Sequence, residues 1–354
     1  MTDHVTPEQH SQTAKRKGEH IRICLEEEVR GSGIDSGFNG YRFRHRALPE
    51  IAFDEIDIST RFLGKRMRTP LLISSMTGGT EEAFAINLRL AEAAEARGWA
   101  MGLGSMRAAI EKEELAPTFR IRAAAPTIPV IANLGAVQLN YGYGVDQCCR
   151  AVELAEADAL VLHLNSLQEV FQPEGDTNFR GLLARIADVC AQVGVPVGVK
   201  EVGWGIDSEA AAALTEAGVS FIDVAGAGGT SWSQVEKFRS RDPLLASAAE
   251  AFASWGTPTA ECVSDVRAAL PDACIIASGG LQSGVDAAKA IALGADLAGY
   301  GRSLLAGAAG GPNVQADALH TTLERIELEL RAAMFGVGAG TLDALRSCGR
   351  LMKL

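Results

Sequence analysis

The sequence predicts an α/β fold: a (β/α)8 TIM barrel with an N-terminal arm and a C-terminal helical extension. From Leu71 onward, eight short apolar runs alternate with amphipathic helical patterns. Short buried strands joined by helices are typical of a parallel sheet covered on both faces, and eight strand–helix units favour closure into a barrel. An open doubly wound sheet is the alternative, but the first strand is followed by MTGGTEEAF, which lacks the G-x-G-x-x-G turn of such sheets.

The eight predicted strands are short apolar runs, most of which end in a polar or glycine residue. They cover residues 71–75, 100–104, 129–133, 159–164, 195–200, 220–225, 274–278 and 297–301. Between them, apolar residues recur at helical spacing. The helices predicted most clearly cover 87–97, 147–155, 180–193 and 207–217.

Three regions lie outside this alternation. Residues 1–14 are polar and aperiodic, so we expect disorder there, with helical spacing starting near His20. Residues 226–256 exceed ordinary loop length and could form a lid. A last helix, predicted over 314–334, would pack outside the barrel or on another subunit. We expect a single domain, 1–354, because one barrel with extensions accounts for the whole length.

Composition narrows the classes of function. The net charge of −11 argues against nucleic-acid binding, and an acidic protein that binds an anion must concentrate positive charge locally or recruit a metal. The N-terminus lacks the apolar core of a secretory signal, and no apolar run approaches a membrane span. The seven cysteines form no C-x-x-C pair, which predicts reduced, buried thiols. We therefore expect a cytoplasmic protein that binds neither nucleic acid nor a membrane.

The segment 278–302, SGGLQSGVDAAKAIALGADLAGYGR, is the most informative about function. It reads as a strand end, a glycine turn, a helix, a second strand and a Gly-Arg turn. Glycines let backbone N–H groups converge on an anion, aided by the helix start near Ser283. Any βαβ unit needs glycine turns, but two at the ends of successive strands favour the phosphate cradle that barrels build after strands seven and eight.

The other six strand ends are polar, and barrel chemistry occurs at such ends. Strand parity places His163 and Asn165 on one face, opposite the leucines of the same strand, and places Lys200 beside Gly198. Singly, each could satisfy nearby backbone groups or form an ion pair. Together they are better explained by a phosphorylated, planar, amide-bearing cofactor such as flavin mononucleotide (FMN), with Lys200 stabilising negative charge on the reduced ring.

At these residues the chain resembles type 2 isopentenyl diphosphate isomerase, the FMN-dependent family. The most specific segments are the basic RKxxH at 16–20 and HLNSLQE at 163–169. The remaining matches are MTGG (76–79), GSMR (104–107), NLGA (133–136), KEVG (200–203), AGxGGTSW (225–232), SGG (278–280) and KAIALGA (289–295). The resemblance covers nearly the whole chain. It departs at Met106, where the family usually has glutamine, and we expect reduced contacts there with the activity unchanged.

The resemblance implies interconversion of isopentenyl and dimethylallyl diphosphate over reduced FMN, with Mg²⁺, and with NADPH as the expected reductant. The implied catalytic residues are Gln168, His163 and Asn165. Those implied to contact substrate are Arg16, Lys17, His20, Ser105, Arg107, Gln168 and Trp232. Those implied to contact FMN are Ser75, Met76, Thr77, Ser105, Asn133, Lys200, Thr230, Gly279, Gly280, Leu281, Gly301 and Arg302. Glu169 would hold Mg²⁺ against the diphosphate, and a homo-oligomer, tetramer or octamer, is implied.

Other interpretations of the chain remain open at this point. Without the resemblance, the basic cluster at 15–17 would be read as a solvated surface. The nearest rival is an FMN-dependent oxidoreductase of the 2-hydroxy acid oxidase type, but that chemistry requires a histidine base late in the barrel, and the segment after strand six has none. An IMP dehydrogenase-like enzyme would need a cysteine in AGAGGTSW, which has none. A non-catalytic flavin- or phosphate-binding scaffold is the third class, and HLNSLQE disfavours it.

Overall fold

A closed barrel of eight parallel strands forms the centre of the protein. The computed structural model describes residues 7–310 and 317–354, with side chains described from Arg16 onward. The strands are β1 (Tyr41–Phe43), β2 (Thr60–Phe62), β3 (Lys65–Met67), β4 (Leu71–Ile73), β5 (Ala100–Gly102), β6 (Val130–Gly135), β7 (Ala159–His163), β8 (Val197–Lys200), β9 (Phe221–Asp223), β10 (Ile275–Ala277), β11 (Leu297–Tyr300) and β12 (Leu351–Lys353). The barrel order is β10-β11-β4-β5-β6-β7-β8-β9, while β1 pairs with β12 and β2 with β3, both antiparallel.

Helices follow the barrel strands and extend the two ends of the chain. They are α1 (Pro7–Glu26), α2 (Glu81–Arg97), α3 (Arg107–Glu111), α4 (Val145–Ala155), α5 (Ser166–Phe171), α6 (Leu182–Gln192), α7 (Ser208–Glu216), α8 (Trp232–Arg239), α9 (Pro243–Glu250), α10 (Thr259–Ala269), α11 (Gly284–Leu293), α12 (Arg302–Ala309), α13 (Ala318–Val337) and α14 (Leu342–Ser347). Short 3-10 turns cover Phe38–Gly40, Glu113–Phe119 and Ala136–Asn140.

The predicted (β/α)8 barrel is confirmed, and each predicted strand overlaps one barrel strand. Most strands end one or two residues early, because their polar last residues, such as Ser75 and Ser278, line the cavity described below. The helix predicted over 87–97 begins earlier, at Glu81, because the Thr80 side chain accepts the Ala83 N–H and caps a further turn.

Alternate residues of a barrel strand pack in two different cores, as predicted: one inside the barrel and one between the barrel and its helices. Val161 packs inside the barrel, whereas Leu160 and Leu162 pack with the surrounding helices. At Gly198 an added Cβ would lie 2.1 Å from the Phe221 ring. That interior position must be glycine because Phe221 fills the barrel there.

The two ends of the chain cover the barrel. Helix α1 crosses the rim, where Ile23 packs with Val29 and Val235, and Ser231 N–H donates to Val29 O at 2.7 Å. Residues 7–14, expected to be disordered, are helical in the structure, since Pro7 suits a first helical position and the polar residues after it tolerate helix. Residues 1–6 lie outside the described part of the chain.

The C-terminal helix α13 packs on the outside of the barrel of its own chain. It buries Leu319, Leu323 and Ile326, and Gly284 of α11 approaches so closely that an added Cβ would lie 2.0 Å from Ile326 O. The helix ends at Val337, three residues later than predicted, where Gly338 adopts a left-handed cap. Residues 314–316 of the predicted helix lie outside the described part of the chain.

The long segment after the sixth barrel strand, 226–256, contains α8 and α9. Helix α8 lies against α1 and α5, so the segment meets both the arm and the rim. Within residues 7–310 and 317–354, no helix combines the length and apolar character that a membrane span needs.

Candidate active site

The carboxyl ends of the barrel strands open into a cavity of about 700 Å³. All the site residues named from the sequence line it, so strand ends far apart in sequence meet at one place. They are Arg16, Lys17, His20, Ser75, Met76, Thr77, Ser105, Arg107, Asn133, His163, Asn165, Gln168, Glu169, Lys200, Thr230, Trp232, Gly279, Gly280, Leu281, Gly301 and Arg302. What each of them binds stays a prediction.

One end of the cavity is built mainly from backbone. Gly279 and Gly280 have φ of 105° and 81°, which side-chain-bearing residues rarely adopt. A Cβ on Gly280 would lie 2.6 Å from the Gly228 carbonyl carbon, so the two loops touch through backbone. Helix α12 begins at Arg302, whose guanidinium lies 3.5 Å from Glu28 of the arm. The first residues of this helix line the same cavity as the two glycines, and the start of a helix favours an anion.

Three buried polar atoms of the cavity lining have no hydrogen-bond partner among the described residues: Ser74 Oγ, Thr77 Oγ1 and Asn165 Oδ1. Buried polar groups are normally paired, and exceptions require an explanation. A ligand rich in amide and phosphate groups supplies such partners. Together with the glycine cradle, these atoms fit FMN.

His163 is neutral and its tautomer is fixed. Its Nδ1 lies 2.8 Å from Asn133 Oδ1, while Asn133 Nδ2 donates to Leu103 O at 3.0 Å. The Asn133 oxygen must therefore accept, so the His163 proton sits on Nδ1 and Nε2 keeps a lone pair. Burial first, and then the positive charges of Lys200, Lys17 and Arg16, lower the pKa of His163 to about 3.

Lys200 is buried at the end of β8, with 8% of its surface exposed. Burial lowers its pKa, while the charges of Asp223 and then Glu201 oppose that change. Its Nζ donates to Glu201 O at 2.5 Å. The Glu201 carboxylate turns away and accepts the backbone N–H groups of residues 202–205 at 2.6–3.2 Å.

The arm contributes two cations, Arg16 and Lys17, to a part of the cavity lining that we call the arm end. Arg16 Nη1 lies 3.8 Å from Glu174 Oε1, and the same carboxylate oxygen accepts from Arg239 at 2.7 Å. Lys17 has no carboxylate within ion-pair distance among the described side chains. Burial, and then the neighbouring Arg16 charge, lower the pKa of Lys17 to about 7.

A hydrogen-bonded network joins the arm to α5 and α8 through Glu236. His20 Nε2 donates to Glu236 Oε1 at 3.0 Å, and Gln168 Nε2 donates to the same oxygen at 3.2 Å. Arg239 Nε donates to Glu236 Oε2 at 2.8 Å. Burial favours the neutral acid, but His20 and Arg239 outweigh it and lower the pKa of Glu236 to about 2. Trp232 packs edge-on against His20, with centroids 5.1 Å apart.

Glu169 belongs to a second network beside this one. Its Oε1 accepts from Asn165 Nδ2 at 2.7 Å, and its Oε2 accepts the Asp176 N–H at 2.7 Å. Asp176 in turn accepts from Arg107 Nη1 at 2.9 Å and from Gln138 Nε2 at 3.0 Å. Burial is the largest cause of the raised pKa of Glu169.

Sequence reasoning missed Glu236, Asp176 and Glu174. A signal existed for Glu236: four residues after Trp232 on one helix, it lies on the same face as the predicted site residue. Asp176 and Glu174 lie in the loop after α5, where spacing carries no such signal.

Two further expectations can be compared with the geometry. Within the described residues, no group of three or more His, Cys, Asp or Glu side chains could hold a metal. Glu169 alone still suits Mg²⁺, which is often held by one carboxylate together with substrate phosphates. Met106 is fully buried in the hydrophobic core and does not line the cavity, and the effect of methionine at this position stays a prediction.

Comparison with known proteins agrees with this geometry. Residues 11–128 and 163–349 match the family model described as FMN-dependent dehydrogenase. The chain is 55% identical over 337 residues to "Isopentenyl-diphosphate delta-isomerase" of Oceanobacillus iheyensis, covering 95% of each chain. It is 51% identical to the protein of the same name from Nostoc sp., covering 97% of each.

Solved structures named as oxidases share this fold. A putative lactate oxidase of Pediococcus acidilactici aligns with a TM-score of 0.65 at 17% identity, covering 99% of this chain and 95% of that one. A mandelate oxidase variant with an FMN adduct aligns with a TM-score of 0.63 at 20% identity, covering 97% and 98%. Identities this low establish the fold alone. The sequence matches go further, and by them the chain belongs to the FMN-dependent dehydrogenase family and, within it, to the isopentenyl-diphosphate delta-isomerases.

Proposed function

We propose that this protein interconverts isopentenyl diphosphate and dimethylallyl diphosphate over reduced FMN, by adding a proton to one carbon of the alkene and removing another from its neighbour. One observation supports the proposal beyond the sequence identity: a single cavity is lined by two sets of groups suited to anions, one at the cradle and one at the arm. The glycine cradle with Arg302 suits the phosphate of a cofactor, and Arg16, Lys17 and Arg107 suit a second phosphorylated molecule.

The arginines of the arm end lie beside carboxylates that a diphosphate could replace. Arg107 is held by Glu111 at 2.7 Å and by Asp176 at 2.9 Å, and Arg16 lies near Glu174. A diphosphate would compete with these carboxylates for the guanidinium groups. Arginine suits this role because its planar group binds phosphate oxygens in pairs. Mg²⁺ held by Glu169 would neutralise the remaining charge.

The chain's own residues prepare the isoprene end for proton chemistry. Protonation of the alkene creates a tertiary cation, which must be kept away from water and nucleophiles. Gln168 and Trp232 border that space with neutral groups, while the Glu236 carboxylate is occupied by His20, Gln168 and Arg239. Gln168 therefore orients the substrate or relays a proton without being alkylated. Reduced FMN, when bound, would supply an electron-rich surface and a group that can exchange a proton.

The His20–Glu236 pair holds a proton at a defined atom near that space. His20 Nε2 directs its N–H at Glu236 Oε1, the oxygen that also accepts from Gln168. The network thus couples arm position to the orientation of Gln168.

The remaining assignments are proposals supported by the resemblance. They are NADPH as the reductant of FMN, a homo-oligomeric assembly, a cytoplasmic location, and the absence of nucleic-acid or membrane partners. The acidic net charge of −11 supports the last of these.

The competing function is oxidation of a 2-hydroxy acid. It is tested because the lactate and mandelate oxidases described above share the fold. That chemistry needs a histidine base late in the barrel. The histidines lining the cavity are His20, on the arm, and His163, at the end of the fourth barrel strand. His163 is already neutral with its Nδ1 proton held by Asn133. The position and the bonding of both side chains favour the isomerase.

The decisive assay incubates the protein with FMN, a reductant, Mg²⁺ and isopentenyl diphosphate, and measures dimethylallyl diphosphate. A parallel reaction contains oxidised FMN, lactate or mandelate and oxygen, and measures hydrogen peroxide. We expect product only in the first reaction. Fully reduced flavin without isomerised product would contradict the proposal, and peroxide formation would favour the oxidase.

A further inference from the structure

Asp223 is a buried carboxylate behind the cavity wall, to which the mechanism above gives no role. It ends β9 with 3% of its surface exposed. Its Oδ1 accepts the Ser278 hydroxyl at 2.6 Å and the Ala225 N–H at 3.3 Å. In the barrel register it pairs directly with Lys200 of the adjacent strand. Asp223 therefore adjoins three cavity-lining residues that belong to different parts of the wall, Lys200, Ala225 and Ser278.

The charge of Asp223 acts mainly on Lys200. Both side chains are buried, and an isolated buried charge is costly unless an opposite charge lies near it. Glu201 also neighbours Lys200, but its carboxylate is satisfied by the four N–H groups of residues 202–205. On the other side Lys200 pairs in register with His163, which is neutral. Asp223, bonded only to neutral donors, is the counter-ion that remains.

The same carboxylate also fixes the phosphate end of the cavity. Ser278 directly precedes the two cradle glycines, and its hydroxyl is held by Asp223. Ala225, at the start of the loop that faces the cradle, has φ of 38°, unusual for a residue with a side chain. The hydrogen bond from its N–H to Asp223 helps hold this conformation. Asp223 therefore acts on two parts of the cavity wall, the position of Lys200 and the glycine cradle after Ser278.

We propose that Asp223 is a positioning residue that keeps Lys200 protonated and aligns Ser278, so that the cavity binds the reduced, anionic form of FMN more tightly than the oxidised form. The proposal rests on FMN binding by the chain and not on the reaction. Asp223 itself does not line the cavity. It acts through Lys200, which does.

The test compares Asp223→Asn with Ser278→Ala. Asparagine keeps an oxygen for Ser278 and Ala225 but removes the charge, whereas alanine at 278 removes the hydrogen bond and keeps the charge. Dissociation constants of oxidised and reduced FMN are measured for each variant by titration. We expect Asp223→Asn to weaken the reduced form at least tenfold relative to the oxidised form, equivalent to a midpoint potential lower by about 30 mV for a two-electron couple. Ser278→Ala should weaken both forms alike.

A double-mutant cycle with Lys200→Met assigns the effect to that lysine. In the methionine background, Asp223→Asn should leave the ratio of the two affinities unchanged. An effect of Asp223→Asn that persists without Lys200, or an unchanged ratio in the single variant, would overturn the proposal. No diphosphate is present in these titrations, so a failed isomerase assay does not affect their outcome.

If Asp223→Asn does not fold, the wild-type apoprotein provides a second measurement. Carbon-13 NMR of labelled lysine, with the Lys200 signal assigned by its loss in Lys200→Met, reports the charge of the amine. We expect a protonated amine at pH 7 despite its burial. A neutral Lys200 at that pH would contradict the role of Asp223 as its counter-ion.

Discussion

The two parts of the cavity to which we assign anion binding, the cradle end and the arm end, are built from different kinds of group. The cradle end consists of backbone: Gly279, Gly280 and the start of α12. The arm end consists of the long side chains of Arg16 and Lys17, on a helix that contacts carboxylates of other segments through Arg16 and His20. A backbone site is preformed, whereas a side-chain site can exchange partners. The difference suits a tightly held cofactor at one end and a substrate that enters and leaves at the other.

The arm end depends most on Glu236, and its removal should have the largest effect. In Glu236→Gln the amide cannot attract His20 and Arg239 as the carboxylate does, so His20 and Gln168 lose their alignment. We expect kcat to fall by about 10²–10⁴-fold, the range typical of proton-transfer machinery, with FMN affinity unchanged. Glu250→Gln is the control, because it neutralises a carboxylate of α9 that is 58% exposed. Equal activity of the two variants would remove Glu236 from the network's function.

At the cradle end, a substitution should weaken FMN binding by distorting the backbone, without any change of charge. Gly280→Ala adds a Cβ 2.6 Å from the Gly228 carbonyl carbon at a φ of 81°. Strain of this kind amounts to about 1–3 kcal/mol, so we expect FMN binding to weaken by roughly ten- to a hundredfold. Gly40→Ala is the matched control, since a Cβ there meets nothing within 4 Å. Fluorescence titration of FMN measures both, and unaltered affinity in Gly280→Ala would show that this turn does not form the cradle.

Glu169 tests whether metal binding belongs to the arm end. In Glu169→Gln the charge that would attract Mg²⁺ is lost, and one acceptor oxygen is kept for either Asn165 or the Asp176 N–H. We expect the Mg²⁺ concentration for half-maximal activity to rise about tenfold, the loss of one charged ligand being equivalent to about 1–2 kcal/mol. FMN affinity should not change. An unaltered magnesium dependence would exclude Glu169 as the metal ligand.

The pKa of Lys17, lowered to about 7 by burial and by Arg16, predicts how substrate binding depends on pH. Below pH 7 the free enzyme carries the Lys17 charge that a diphosphate needs. Above pH 7 the amine is neutral and must take up a proton on binding, so KM should rise about tenfold per pH unit until the pKa of the complex is reached. Lys17→Arg should remove this rise, because arginine stays charged. A KM equally pH-dependent in both proteins would assign the titration to another group.

The two ends also differ in how far the sequence predicts them. The cradle follows from glycines within 25 residues of each other, and the barrel from local periodicity, so both were predicted. The Glu236 network joins His20 to a residue 216 positions away. Its existence depends on where α1 crosses the rim, which no local pattern of polar residues specifies. Asp176 could not be predicted for the same reason, because its role comes from its contacts with Arg107 and Glu169.

Substitution of Gly18, in the middle of α1, should have the smallest effect, and it tests whether the arm is mobile before substrate binds. A Cβ there meets nothing within 4 Å, and replacing glycine by alanine in a helix interior stabilises the helix by about 1 kcal/mol. We expect Gly18→Ala to slow amide hydrogen exchange in the arm of the free enzyme by about fivefold. We expect diphosphate binding to order the arm and the 226–256 segment, so in that complex the two proteins should exchange alike. Arm amides equally protected with and without diphosphate in the wild-type protein would mean that the arm is preformed too, and that the two ends of the cavity differ in composition but not in mobility.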